Sequence, residues 1–179
     1  MFKKKKKSEE NNPVIEKIFS AENLTIRVVF IRYFPLVNLI ENQLGPFKKG
    51  TKAVIKIWVA IALQKTKYCL IKKPLWLTNK YLEKKIFLER NFKLLQPLPF
   101  FYLEIAHILY LRSKEIFFQP ENTISFVEEL YAVRFSKILN EIQNISGNIS
   151  VLKFDKIGSI ELFGIKKTIQ LILFFFSFL

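Results

Sequence analysis

The stretch that decides the fold starts at Leu44-Gly45-Pro46-Phe47, continues through Trp58-Val59-Ala60-Ile61-Ala62-Leu63, and ends with Cys69 and Pro74-Leu75-Trp76. Much of the remaining chain is Lys, Phe, Ile, Leu and Asn, which an A/T-rich coding region favours. A Gly-Pro turn and two tryptophans in a fixed order are harder to obtain from such a bias. Glycine permits a positive φ and proline fixes a turn. We therefore predict that Gly45, Pro46 and Phe47 shape the fold and carry no chemistry. Trp58 and Trp76 are predicted to be core anchors, with an interface hot spot as the alternative.

The residues up to Trp76 have the pattern of a small α+β unit. A short helix is expected from Pro13, because proline suits the first helical turn. Residues 24–34 predict one or two strands, and residues 37–40 and 68–71 predict short ones. Residues 55–64 form an apolar run that is too long for a routine strand, and its two alanines favour a helix.

Beyond Trp76 the pattern changes to long helices. The first is expected from Thr78 or Asn79 to Asn91, and Pro97 and Pro99 stand at the start of the second. A third carries an apolar stripe and ends at residues 146–148, and a fourth follows. The stripe of the third comprises Ile124, Val127, Tyr131, Phe135, Ile138, Ile142 and Ile145, and that of the fourth comprises Ile157, Ile160, Ile165, Ile169 and Ile172.

The predicted fold class is therefore mainly α, with a small β-containing N-terminal domain followed by a helical C-terminal domain of about four helices. The expected boundaries are a disordered basic tail at residues 1–12, the α+β domain at residues 13–76 and the helical domain at residues 77–179. At this length there is room for a substantial core in either one domain or two small ones.

Several motifs occur in a fixed order along the chain. They are Phe19-Ser20-Ala21-Glu22-Asn23, the Leu-Gly-Pro-Phe and Trp-x-Ala-x-x-Leu blocks, Cys69, Pro-x-Trp, Glu89-Arg90-Asn91-Phe92, Leu98-Pro99-Phe100-Phe101-Tyr102-Leu103-Glu104-Ile105, a helix with Arg134 and Lys137, and residues 152–161. In order and spacing the chain resembles the Psf-two subunit family of the GINS replication complex, over about residues 19–172. The resemblance implies a β-type domain followed by a helical one.

That resemblance also implies a non-catalytic subunit of a GINS heterotetramer in the nucleus. Such complexes join the MCM ring and the Cdc forty-five protein into the active replicative helicase, in initiation and elongation of DNA replication. The implied partners are the other GINS subunits, the MCM ring and the Cdc forty-five protein, with DNA contacted indirectly or weakly. The ATP sites belong to the MCM ring, so no cofactor is expected here.

Aromatic residues make up 15% of the chain, including 19 Phe, more than a monomer of this size comfortably hides. Large exposed apolar patches usually mark interfaces, so part of this surface is expected to face another chain. An ordinary core enriched in Phe by coding bias is the alternative. The residues predicted to contact sister subunits are Phe100, Phe101, Ile105, Tyr131 and Phe135.

The net charge of +14 suggests nucleic acid or an acidic membrane surface as a partner. Lys3 to Lys7 supply five of these charges, and such a run serves as a nuclear-import signal, a loose DNA contact or a solvated end. The alternative function is thus a free-standing basic nucleic-acid-binding module, in which Tyr68 stacks a base beside Lys65 and Lys67. A third possibility, a membrane-associated helical protein, rests on residues 169–179. A membrane helix needs about twenty residues, so a buried helix end is favoured and no membrane is expected.

Catalytic signals are weak. Cys69 and His107 are the only cysteine and histidine, so no Cys/His zinc site is expected. The segment from Gly45 to Lys52 has the glycine spacing of a phosphate-binding loop, but Thr and Lys are reversed and Pro46 removes a donor. His107 is expected to be a satisfied core or interface histidine, and Glu104 to accept a buried hydrogen bond or pair with an arginine. No catalytic, cofactor-binding or metal-binding residue is predicted.

Overall fold

The computed structural model describes residues 13–40, 43–143 and 156–176. Its sheet is centred on β1 (Thr25–Phe30), which pairs antiparallel with β4 (Lys52–Lys56) on one side and β5 (Cys69–Ile71) on the other. Ile26, Val28 and Phe30 point into the core, while Thr25 and Arg27 are exposed. This alternation is typical of a strand with one buried face, and it confirms the strand predicted in residues 24–34.

A small hairpin and a turn follow β1. The hairpin pairs β2 (Val37–Asn38) with β3 (Gln43–Leu44). Phe34 and Phe47 exchange two backbone hydrogen bonds of 2.8 Å, and the Phe47 ring stacks on Phe30 with centroids 4.3 Å apart. Gly45 lies between the hairpin and the stacked Phe47 ring. It has a φ of +97° and precedes a cis peptide bond to Pro46. The turn therefore packs the partly buried Phe47 ring against the core.

The first two helices are α1 (Pro13–Glu22) and α2 (Ile57–Lys65). The expectation of a helix from residue 55 was wrong at its start, because β4 occupies residues 52–56 and α2 begins only at Ile57. Strand β4 was missed because its last two residues were assigned to that helix. The strand forms by pairing with all but the last residue of β1, a long-range contact that overrides local preference.

The helical half contains α3 (Asn79–Asn91), α4 (Tyr102–Arg112), α5 (Pro120–Gln143) and α6 (Ser159–Phe176). Helix α4 starts later than expected, at Tyr102, so Pro97 and Pro99 lie in the segment before it. The buried face of α5 is also rotated from the predicted stripe, since Leu130 and Arg134 are fully buried whereas Tyr131 and Phe135 are partly exposed. The mainly α fold class, with its small sheet on the N-terminal side, is confirmed.

The core joins the sheet to the helices. One cluster of buried side chains runs from Ala21 and the sheet to Val127 and Leu130, and a smaller one contains Ile138, Ile157 and Ile165. Polar contacts also connect the N-terminal helices to the helical half. Lys17 of α1 donates to the Ser159 carbonyl oxygen at 2.8 Å, and Gln64 of α2 donates to Glu115 at 2.6 Å. The division into two domains at residue 76 stays a prediction.

Some expectations lie outside the described residues, namely the tail at residues 1–12, Ile145, the helix end at residues 146–148 and residues 177–179. The side chain of Ile172 also lies outside the described part of the structure, although its backbone belongs to α6. Within the described ranges, no helix combines the length and apolar character needed to cross a membrane.

Gly45→Ala is expected to lower the free energy of unfolding more than Gly50→Ala. Both glycines have positive φ, and an L side chain in that region costs about 1–2 kcal/mol. A Cβ at Gly45 would also lie 2.6 Å from the backbone oxygen of Pro35, whereas one at Gly50 meets nothing within 4 Å. Denaturant unfolding of both variants separates the two effects. Equal losses would contradict a steric role for the Gly45 turn.

Candidate subunit interface

Phe100 and Phe101 immediately precede α4, and their rings meet edge to face with centroids 4.8 Å apart. Phe101 packs against the core, whereas 47% of Phe100 is exposed. The Phe100 carbonyl oxygen accepts a hydrogen bond of 2.8 Å from the Ser159 amide at the start of α6. A backbone contact thus holds an exposed aromatic ring at a fixed position beside α6.

Tyr131 and Phe135 form a second aromatic pair, one turn apart on α5. Their rings stack with centroids 5.6 Å apart, and both side chains are partly buried. A Cβ at Gly164 of α6 would lie 2.8 Å from the Phe135 ring, so that ring lies directly over the glycine. Both predicted aromatic pairs therefore border α6.

The fifth predicted contact, Ile105, has a different environment. It is 8% exposed and belongs to the core. The tryptophans also differ from each other, because Trp76 packs against the core whereas 41% of Trp58 is exposed on α2. Of the predicted contacts, the aromatic residues are thus the accessible ones.

The structure exposes further large apolar side chains that were not predicted as contacts. Phe87, Phe92 and Leu94, at the end of α3 and just beyond it, are each more than half exposed. In the sequence, Phe87 and Phe92 lie in a polar, lysine-rich stretch. A phenylalanine among such residues indicates an exposed ring, and this signal could have identified them as candidate contacts. Exposed aromatic rings are the residues that interfaces most often bury.

A fully buried charge cluster lies at the centre of the helical half. The side chain of Arg134 (α5) is 0% exposed, and the carboxylates of Glu89 (α3) and Glu161 (α6) flank it. Its Nε donates to Glu161 at 2.6 Å, and a terminal nitrogen donates to Glu89. The guanidinium also donates to the carbonyl oxygens of Gln96 at 2.9 Å and Lys156 at 2.7 Å, and again to Glu161 at 3.1 Å. All five donors of the guanidinium are thereby used.

The two carboxylates are equally well satisfied. Glu89 accepts from Lys137 at 2.7 Å and from the Gln96 amide at 2.8 Å. Glu161 accepts from the Tyr102 hydroxyl at 2.8 Å and from the Gly158 amide at 2.7 Å. Two cations thus balance two carboxylates, and the cluster connects all four helices of this half. A buried charge network of this kind is tolerated only when each member is hydrogen-bonded.

Burial raises the pKa of the Tyr102 hydroxyl above its ordinary value, and the Glu161 charge raises it further. The hydroxyl therefore stays protonated and acts as a hydrogen-bond donor at physiological pH. Sequence reasoning missed this cluster, although one signal was available. Val127, Leu130, Arg134 and Ile138 are spaced by three and four residues, so Arg134 interrupts an otherwise apolar helical face.

Among the described residues, Glu104 pairs with no arginine and neither of its carboxylate oxygens has a hydrogen-bond partner, so both predicted roles were wrong. It is buried on α4, where burial raises the pKa of its carboxyl, while the neighbouring Ser159 hydroxyl and the Lys17 charge oppose that rise.

His107 is partly exposed, and its Nδ1 lies 2.8 Å from the Leu103 carbonyl oxygen. Burial also raises the pKa of Cys69 to about 11, so the thiol stays protonated. Among the described residues, no group of three or more His, Cys, Asp and Glu side chains is placed to hold a metal ion.

The segment from Gly45 to Thr51 uses its backbone amides internally. Phe47 donates to Phe34, Gly50 to Phe30 and Thr51 to Lys48. A phosphate-binding loop needs such amides to point together at its ligand. This segment is therefore a structural turn.

The family model of the PSF2 N-terminal domain matches residues 15–72, which extend from α1 to just past β5. The chain is similar to the PSF2 proteins of the GINS complex. It is 29% identical over 135 residues to the "Probable DNA replication complex GINS protein PSF2" of Brugia malayi, covering 74% of this chain and 71% of the relative. The Caenorhabditis elegans protein with the same description is 30% identical over 102 residues, or 57% of each chain. The human "DNA replication complex GINS protein PSF2" is 25% identical, with 67% of this chain and 65% of the relative covered.

The matched PSF2 domain includes the Gly45 turn and Trp58, but it ends before the charge cluster. The cluster lies in the helical half, outside residues 15–72. These matches confirm the family resemblance carried by the Gly-Pro-Phe and Trp-x-Ala blocks.

Arg134→Met is expected to lower the free energy of unfolding by about 3–5 kcal/mol, because it leaves two buried carboxylates without their main partner. Arg90→Met is the matched control. Arg90 pairs with Glu129 at 2.7 Å at the surface, where such a pair contributes below about 1 kcal/mol. Chemical denaturation of both variants, in the form in which the protein is purified, measures the difference. Similar losses of unfolding free energy in the two variants would contradict the claim that the buried cluster stabilises the fold more than a surface ion pair does.

Glu104→Gln is expected to raise the free energy of unfolding at pH 7, whereas Glu161→Gln is expected to lower it by about 1.5–3 kcal/mol. The raised pKa means that folded Glu104 holds its proton more tightly than the unfolded chain does, so this carboxyl weakens the fold as pH rises. The gain from Glu104→Gln should shrink as pH falls and Glu104 becomes protonated. Thermal unfolding between pH 4.5 and 7.5 tests this, and a gain that is constant with pH would contradict it.

Proposed function

We propose that this chain is a non-catalytic subunit of a GINS heterotetramer in the nucleus, which links the MCM ring and the Cdc forty-five protein in the eukaryotic replicative helicase. Similarity to the PSF2 family and the names of the relatives support the coarser statement, a role in DNA replication within a multi-subunit complex. The heterotetramer, the helicase partners and the nuclear location are the proposed extension. DNA contact in this role is indirect or weak.

The observation that carries the proposal is the combination of exposed aromatic rings with a buried cluster of charges, around Arg134, whose hydrogen bonds hold the helices together. Phe87, Phe92 and Phe100 are 64%, 55% and 47% exposed, and burial of this remaining surface would stabilise the chain by roughly 1–2 kcal/mol per ring. A sister subunit that covers these rings would provide this burial. Meanwhile the carboxylates of Glu89 and Glu161 hold helices together, which supports a scaffold rather than an enzyme.

The alternative, a free-standing nucleic-acid-binding module, is less well supported. Its main aromatic candidate, Tyr68, is partly buried, and its ring packs edge-on against Phe34 with centroids 5.5 Å apart. A ring engaged in this way offers little surface for stacking on a base. The exposed Lys65 and Lys67 beside it remain able to contact phosphate, which agrees with weak DNA contact.

The helical domain, residues 77–179, is proposed to make the sister-subunit contacts through Phe100, Phe101, Tyr131 and Phe135. Ile105 supports this surface from the core. The α+β domain, residues 13–76, is proposed to pack beside it or to present a surface to the helicase.

Phe100→Asp is expected to weaken co-purification with the sister subunits by at least about 30-fold, because interface hot spots contribute about 2 kcal/mol or more. Phe100→Leu is the control, since it keeps an apolar side chain of similar reach and should retain assembly. Quantitative co-purification after co-expression gives the readout, and the thermal midpoint of each variant reports whether the chain still folds. Full assembly of a folded Phe100→Asp variant would overturn the proposed interface.

A further inference from the structure

An open groove of about 790 Å³ lies along β1, with β4 on one side and the segment after β5 on the other. Residues 25–29, 52–54 and 72–76 line most of it, and Ile57 and Ile105 complete the lining. The backbone amide of Lys72 donates to the Arg27 carbonyl oxygen at 2.9 Å, which keeps the segment after β5 against β1. The groove is therefore built on hydrogen-bonded backbone.

The charge of this groove is of one sign. Among the residues that the structure describes, Arg27, Lys52, Lys72 and Lys73 line it and no Asp or Glu does. Across the parts of the chain that the structure describes, none of these four cations forms an ion pair with a carboxylate. Lys73 is held over the Phe117 ring, with its Nζ 5.6 Å from the centroid. Four cations without carboxylate partners create a positive potential that attracts an acidic ligand.

The same lining is strongly apolar between the charges. In the strand register Arg27 lies opposite Val54, and Val29 lies opposite Lys52, so aliphatic and basic side chains alternate across the sheet. Val54 and Leu75 are 60% and 81% exposed. A nucleic-acid strand would need aromatic rings to stack on, and Trp76, which is partly buried, is the one aromatic side chain in the lining. The aliphatic surface favours a protein ligand.

We propose that this groove binds an acidic, amphipathic segment of a partner protein. The carboxylates of that segment face Arg27, Lys52 and Lys72, and its apolar side chains cover Val54 and Leu75. The proposed GINS assembly does not by itself specify an occupant for this surface, so the groove adds a second, chemically distinct contact to the aromatic one beside α6.

A photo-crosslinking amino acid in place of Leu75 tests the proposal in the full chain, in the cells that normally express it. Mass spectrometry of the product identifies the crosslinked segment itself. The expected segment has a net charge of about −3 or lower over roughly ten residues and contains aliphatic or aromatic side chains. The double variant Arg27→Glu/Lys72→Glu should reduce the crosslink on the order of tenfold. Lys80→Glu/Lys84→Glu, which makes the same charge change on exposed residues of α3, should leave it unchanged.

Four results would overturn the proposal. They are a crosslink to DNA, a crosslink to a neutral or basic segment, a crosslink to a second copy of this chain, and the absence of any crosslink at position 75. An equal loss of the crosslink in both double variants would also overturn it, because the effect would then come from overall charge. Failure of the GINS assembly is read separately, from the Phe100→Asp co-purification.

Discussion

The arrangement of the helices depends on one constraint, which is that the buried guanidinium of Arg134 must be neutralised and fully hydrogen-bonded. Glu89 comes from α3, Glu161 from α6, and the two carbonyl acceptors come from the segments before α4 and α6. Because the guanidinium is planar, its donors have fixed directions, and these groups must approach from fixed sides. A shift of any one helix would leave a buried charge without a partner, at a cost of several kcal/mol. Apolar packing alone tolerates such shifts more easily.

This constraint also explains how polar residues are distributed between interior and surface. The interior carboxylates Glu89 and Glu161 are occupied by structural contacts, while several aromatic rings remain outside. In this chain the charged interior positions the helices, and the helices hold Phe100 and the Tyr131–Phe135 pair beside α6. This arrangement supports the proposed scaffold function.

Much of the fold was predictable from local pattern. The turn at Gly45-Pro46, strand β1 and helices α1, α3 and α5 follow from turn chemistry, alternation and helical periodicity. Strand β4 was not predictable in this way, because its lysines become strand residues only through pairing with β1. Trp58 illustrates a second limit, since its size and apolar character predict burial, but its position on α2 leaves it exposed.

The candidate site was predictable only in part. The aromatic residues beside α6 could be chosen from periodicity, and the place of Arg134 on an apolar helical face was readable in the same way. Its partners were not predictable, because they lie 45 residues before it and 27 residues after it. Local sequence carries no information on which distant carboxylate reaches a given guanidinium. The rotation of α5 that buries Leu130 and Arg134, in place of Tyr131 and Phe135, is a consequence of those distant contacts.

Native mass spectrometry of the assembly isolated through this chain, under its own promoter, tests the central claim most directly. The scaffold account predicts a complex that contains one copy of this chain and one copy each of three different subunits. A stable monomer, or an assembly that contains only copies of this chain, would contradict it.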